Sequence, residues 1–276
     1  MSGAGAEPGR VAGTLPERRQ DAAPIWLLGC GNMGGALLRR WLASEMGPVA
    51  VIDPAPRDLP AGVSNGVVPP AGTPEILMLA VKPQAWRDAA APVAAVIGPM
   101  TLVVSVMAGV TVADIASVFP RSAIIRAMPN TPAAIGQGAT ALFTTAGEIA
   151  QGAAEALFGP AGTTVWLTDE AQFDAVTGLS GSGPAYVFAF IEALATAGAS
   201  AGLDPALAMQ LARATVTGAA ALAAADATVP AAELRVRVTS PGGTTAAGLA
   251  VLQPGLAALM VGTVAAAAAR SRELSQ

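Results

Sequence analysis

Ile25-Trp26-Leu27-Leu28-Gly29-Cys30-Gly31-Asn32-Met33-Gly34-Gly35-Ala36 is the stretch that decides the fold. Four apolar residues read as a short buried strand, glycines 29, 31 and 34 follow as G-x-G-x-x-G, and Ala36 to Ser44 reads as a helix. A glycine loop at the joint of a strand and a helix has a physical purpose. The first glycine permits the tight turn, the second lets a pyrophosphate approach the backbone, and the third lets the helix pack closely on the strand. Unpaired N–H groups at the helix start then face the phosphates. With 31 glycines in the chain the spacing alone would be weak, and its position in a strand-turn-helix unit gives it weight.

Outward from this unit the apolar runs recur. Val49 to Asp53, Glu75 to Val81, Thr101 to Met107, Ala123 to Ala127, Ala139 to Thr144 and Thr163 to Leu167 fit strands, with helices over Gln84 to Ile97 and Val112 to Val118. Continuous apolar strands separated by helices predict an α/β fold: a doubly wound, Rossmann-type, mostly parallel sheet with both faces covered. After Thr168 the strand pattern stops. Helices are expected over Ala185 to Ala201, from the Asp204-Pro205 cap to Ala225, over Val229 to Val238, Thr245 to Leu252 and Leu256 to Glu273. The expected division is residues 1–23 as a disordered tail, 24–167 as the dinucleotide-binding domain and 168–276 as an all-helical domain.

Composition removes whole classes of function. A net charge of −4 with no basic run argues against a nucleic-acid partner. One cysteine, Cys30, excludes an intrachain disulfide and a cysteine cluster, and the absence of histidine removes the commonest zinc ligand and general base, so no metal is expected. The apolar stretches 185–202 and 256–269 are alanine-rich and are expected to be buried helices rather than membrane spans, with enough apolar face for a second subunit to cover. Residues 1–23 lack the apolar core of a signal peptide, which implies a cytoplasmic protein.

Candidate site residues follow from position. Asp53 ends the second strand, where a carboxylate accepts hydrogen bonds from the adenosine ribose and repels a 2′-phosphate, favouring NADH. Arg57 is placed to pair with that phosphate, which would favour NADPH. Lys82, the lone lysine, follows a buried strand in Ala80-Val81-Lys82-Pro83-Gln84 and is placed to reach the cofactor ribose or a substrate anion. The single tyrosine, Tyr186, lacks the lysine four residues on that a short-chain dehydrogenase needs, and Ser180-Gly181-Ser182-Gly183 has no histidine to activate a nucleophile. Ser180 and Ser182 read as caps. An inventory without a strong base suits an iminium substrate, which is already electrophilic.

From Ile25 to Glu273 the chain resembles the pyrroline-5-carboxylate reductase family. The resemblance rests on the glycine loop, on Ala80-Val81-Lys82-Pro83-Gln84, on Ala127-Met128-Pro129-Asn130-Thr131-Pro132 and on Thr239-Ser240-Pro241-Gly242-Gly243-Thr244-Thr245. It implies reduction of 1-pyrroline-5-carboxylate to L-proline with NADPH or NADH, and a homodimer joined through the helical domain or a larger assembly built from it. Gly29, Gly31, Asn32, Met33, Gly34, Asp53, Arg57, Ala80, Val81, Lys82, Pro83, Met128, Pro129 and Asn130 would hold the cofactor. Ser240, Gly242, Gly243, Thr244 and Thr245 would hold the substrate carboxylate, with Thr245 and Lys82 closest to the chemistry. The alternatives are a reductase of another cyclic imino acid and a dinucleotide sensor without turnover.

Overall fold

The computed structural model describes residues 25–274; the expected tail, 1–23, lies outside them. Strand β1 (Ile25–Leu28) leads through the glycine loop into helix α1 (Asn32–Ala43), followed by β2 (Val49–Ile52), β3 (Ser64–Gly66) and β4 (Ile76–Leu79). Helix α2 (Trp86–Ala94), β5 (Leu102–Ser105), α3 (Val112–Val118), β6 (Ile124–Met128), β7 (Gly138–Thr144), α4 (Glu148–Phe158) and β8 (Gly162–Trp166) complete the sheet region.

The eight strands form one sheet in the order β3-β2-β1-β4-β5-β6-β7-β8. All neighbours are parallel except β6 and β7, which run antiparallel. Alternation along β1 divides the core. Ile25 and Leu27 pack with Leu37, Leu38, Trp41, Leu157 and Phe158 under α1 and α4. Trp26 and Leu28 pack on the other face with Trp86, Val93, Ile115 and Phe119 under α2 and α3. This is why the strands read as continuously apolar: each successive side chain enters one core or the other.

Beyond β8 the described chain is helical: α5 (Phe173–Val176), a π-helical turn at Thr177–Gly181, α6 (Gly183–Ser200), α7 (Pro205–Ala225), α8 (Ala231–Arg237) and α9 (Thr244–Leu274). Asp204 caps α7 by accepting from the backbone N–H groups of Ala206 and Leu207. The expected break between Leu252 and Leu256 is absent, and α9 runs through Pro254 as one helix of 31 residues. A proline removes its own N–H bond and crowds the carbonyl four residues back, and the alanine- and leucine-rich sequence on both sides carries the helix across it.

A second expectation needs correction. The stretches 185–202 and 256–269 are not buried within their own chain: α6 buries Ala195 alone and α9 buries Ala268 alone. Phe188, Phe190, Leu211, Leu259 and Val261 stand exposed. Helices α6 and α7 touch through small residues, with Gly198 facing Ala208, and present their larger side chains outward. Helices α7 and α9 are long and apolar enough to cross a membrane by length and composition.

Candidate active site

Gly29 has φ +92°, and a Cβ there would lie 2.7 Å from the Ala80 carbonyl oxygen. A Cβ on Gly34 would strike the Gly29 carbonyl oxygen. Gly31 is different: nothing lies within 4 Å of its Cβ position. The outer glycines are therefore required by the protein's own packing, while Gly31 opens onto solvent at the start of α1. No side chain caps that helix, so its first N–H groups face the open space beside Gly31. A bare backbone cradle at a helix N-terminus fits a pyrophosphate.

Asp53 lies at the carboxyl end of β2, and its carboxylate is tied into this cradle. Oδ2 accepts from Cys30 N at 2.6 Å and Oδ1 from Ala55 N at 2.7 Å. The guanidinium of Arg57 donates to Asn32 Oδ1 at 3.1 Å, which holds a cation beside the loop. Cys30 is buried, and its thiol is pushed above the ordinary range, first by burial and then by the Asp53 carboxylate. It is therefore a neutral filler of the loop. Ala80 and Val81 abut Gly29, so the segment after β4 forms the next wall of the crevice. Lys82 continues that wall; it is exposed and makes no ion pair among the described residues.

The third wall is Met128-Pro129-Asn130, at the end of β6. The amide of Asn130, a residue the resemblance assigns to the cofactor, is engaged with protein groups on both sides. Its Oδ1 accepts from Ala139 N at 2.9 Å, and its Nδ2 lies 3.2 Å from both the carbonyl oxygen and Oγ of Ser180. Ser180 sits within the π-helical turn, and Ser182 holds the N-cap position of α6 without a side-chain cap hydrogen bond. Tyr186 steadies this turn, its hydroxyl donating to the Gly178 carbonyl at 3.1 Å, and Gly181 packs against Met128. Asn130, Pro132, Leu179, Ser180, Gly183, Pro184, Val187 and Phe188 line a cleft of ≈ 350 Å³. Ser180 was missed as part of the crevice because a π-turn has no residue signature that separates it from a helix start.

The late turn is compact and outward-facing. Gly242 has φ +69°, and Gly243 N donates to the Ser240 carbonyl at 3.1 Å. Ser240, Thr244 and Thr245 are exposed, and their hydroxyls take no partner among the described residues. The turn starts α9, whose backbone meets the π-turn much later, at Val264 against Gly178. At 1.5 Å per residue that contact lies about 30 Å along the helix from the turn. One chain thus brings the three crevice walls together and does not bring the late turn to them.

A parallel sheet with a glycine loop, an acid at the end of β2 and a crevice along the carboxyl ends of its strands defines a dinucleotide-binding protein of doubly wound type, here with a helical second part. A family model described as pyrroline-5-carboxylate reductase dimerisation matches residues 170–274. The pyrroline-5-carboxylate reductase of Synechocystis is 41% identical over 267 residues, covering 91% of this chain and 98% of that protein. The solved pyrroline-5-carboxylate reductase of Coxiella burnetii is 32% identical with a TM-score of 0.83, covering 93% of this chain and all of that one. A Plasmodium falciparum pyrroline carboxylate reductase solved with NADP bound, 24% identical over 92% of this chain and 98% of that one, shares the fold at a TM-score of 0.76. The chain belongs to the pyrroline-5-carboxylate reductase family.

Proposed function

We propose that this chain reduces 1-pyrroline-5-carboxylate to L-proline at the expense of NAD(P)H, the final step of proline synthesis. The observation that carries the reading is the match across 98% of the Synechocystis reductase, too broad to omit either the crevice or the helical region. Gly31 and the uncapped start of α1 accommodate the pyrophosphate. Asp53 favours the ribose hydroxyls of NADH, and Arg57 offers a cation to the 2′-phosphate of NADPH. Lys82 reaches the ribose or the substrate anion, and Met128 to Asn130 form the edge against the nicotinamide.

When bound, the reduced nicotinamide supplies a hydride to the imine carbon. The chain's own residues position the acceptor. The Gly242 N–H, the free N–H groups at the start of α9 and the hydroxyls of Ser240, Thr244 and Thr245 hold the carboxylate, while Gly243 N closes the turn on the Ser240 carbonyl. The imine electron pair passes to the ring nitrogen, which takes a proton by way of the Thr245 hydroxyl or from water.

The separation of about 30 Å along α9 favours a turn that serves the crevice of another subunit, so the working unit in this reading is a homodimer built through residues 168–276. The apolar faces of α6, α7 and α9 are the surfaces such a partner covers. A groove formed by Ala175, Met260, Val261, Val264, Ala265 and Ala268 belongs to them. A cytoplasmic location accords with a single unpaired cysteine. The test is NAD(P)H consumption with pyrroline-5-carboxylate, with its six-membered homologue for comparison and sedimentation in detergent-free buffer for the assembly. Turnover of the five-membered ring by a soluble dimer supports the reading; no turnover with any cyclic imine, or sedimentation only in detergent, overturns it.

A further inference from the structure

The Asn130 amide can be oriented only one way. Ala139 N is a donor, so the atom facing it is the amide oxygen; the Ser180 carbonyl is an acceptor, so the atom facing it is the nitrogen. The same nitrogen lies 3.2 Å from Ser180 Oγ and therefore donates to it. The Ser180 hydroxyl hydrogen must then point elsewhere. No acceptor for it exists among the described residues, and Ser180 lines the cleft at the edge formed by Asn130 and Pro132. Its cleft neighbours Leu179, Pro184, Val187 and Phe188 offer no side-chain acceptor. A half-buried hydroxyl, fixed by an amide behind it and bordered by apolar side chains, is a preorganised donor toward a ligand.

We propose that Ser180 is a binding residue of the reductase site, donating its hydroxyl hydrogen to an acceptor oxygen of the molecule seated in the cleft. Two ligand oxygens have that chemistry: the carboxamide oxygen of the nicotinamide and a carboxylate oxygen of the imino acid. The proposal rests on the reductase reading of the same site. It gives the Ser-Gly-Ser-Gly segment a role other than capping and makes the π-turn the part that aims the donor. Asn130 acts through Ser180 as a positioning residue.

Ser180→Ala removes the donor while leaving the Asn130 contacts to Ala139 N and to the residue-180 carbonyl in place. Three quantities separate the outcomes: the Kd of intact NAD(P)H, the Kd of the corresponding ADP-ribose fragment without nicotinamide, and the KM for pyrroline-5-carboxylate. A carboxamide contact weakens intact cofactor about three- to tenfold and leaves the fragment unchanged. A carboxylate contact raises KM about tenfold or more at unchanged cofactor Kd. All three values at wild-type level overturn the proposal, as does equal weakening of cofactor and fragment. Ser182→Ala, whose side chain makes no hydrogen bond among the described residues, is expected to match wild type, and a parallel loss there also overturns it. If Ser180→Ala does not fold, Ser180→Thr keeps the hydroxyl and is expected to retain all three values; their loss overturns the assignment. Failure of the wild-type enzyme to turn over would defeat the reductase reading separately, since the two cofactor dissociation constants need no turnover.

Discussion

A methyl in place of the Thr245 hydroxyl keeps the shape of the turn and removes the hydrogen bond proposed to reach the substrate. Thr245→Val is therefore expected to lower kcat/KM about tenfold or more while leaving cofactor Kd unchanged, and unchanged catalytic efficiency would remove Thr245 from the mechanism. At the other end of the site, Asp53→Ala abolishes the carboxylate proposed to repel a 2′-phosphate, so the NADPH to NADH efficiency ratio is expected to rise. Because Asp53 also accepts from Cys30 N and Ala55 N, both cofactors are expected to bind more weakly in this variant. Arg57→Ala should move the ratio the opposite way, and side-by-side kinetics with the two cofactors check both signs. The glycines and Asp53 were legible in the sequence because strand order fixes where the ends of β1 and β2 fall. The bonds that hold Asn130 were not, since Ser180 lies fifty residues away and only the folded chain brings it near.

Helix α3 is short, and its start is closed by a capping box: Thr111 Oγ1 accepts from Asp114 N at 3.1 Å, and Asp114 Oδ2 accepts from Thr111 N at 3.2 Å. The Thr111 hydroxyl is the leading cause that holds the Asp114 carboxyl below its ordinary value, with Arg87 adding to it and burial opposing it. A depressed folded-state pKa contributes stability above the unfolded-state value and loses it as pH falls through the folded one. Thr111→Ala is expected to cost about 1 kcal/mol at neutral pH and less in acid, measured by denaturant melts across that range. Equal loss at both pH values would exclude the linkage. The same scale shows what sequence patterning carries. Strands with two buried faces announce themselves, whereas β3 is Ser64-Asn65-Gly66 at the sheet edge, with no apolar residue to mark it. Helix α4 was also passed over, because Ile149 near its start is almost fully exposed and spoils the one-sided pattern completed by Ala154, Leu157 and Phe158. The antiparallel pairing of β6 and β7 depends on the short Thr131–Ile135 turn between them, which leaves no room for a crossover helix.

At the scale of the molecule the decisive quantity is the length of α9. A rigid helix of 31 residues separates the turn at its start from the π-turn packed near its other end. If the turn of each subunit completes the crevice of its partner, two differently damaged subunits can repair one another. Gly31→Val suits the first kind of damage, because its side chain enters open space and blocks the pyrophosphate without disturbing the protein's own packing. Thr245→Val, made more severe by Gly243→Val at the same turn, suits the second, since a Cβ on Gly243 strikes Ser240 Oγ. In a mixed dimer one site pairs an intact crevice with an intact turn, and the other pairs the two damaged parts. Random assortment makes half the dimers mixed, so co-expression is expected to recover about a quarter of wild-type activity from parents with almost none. If each turn served its own crevice, every site in the mixture would carry one defect and no activity would return. Subunit exchange between separately purified parents should restore activity on the timescale of dimer dissociation, and recovery that precedes exchange would contradict the shared site.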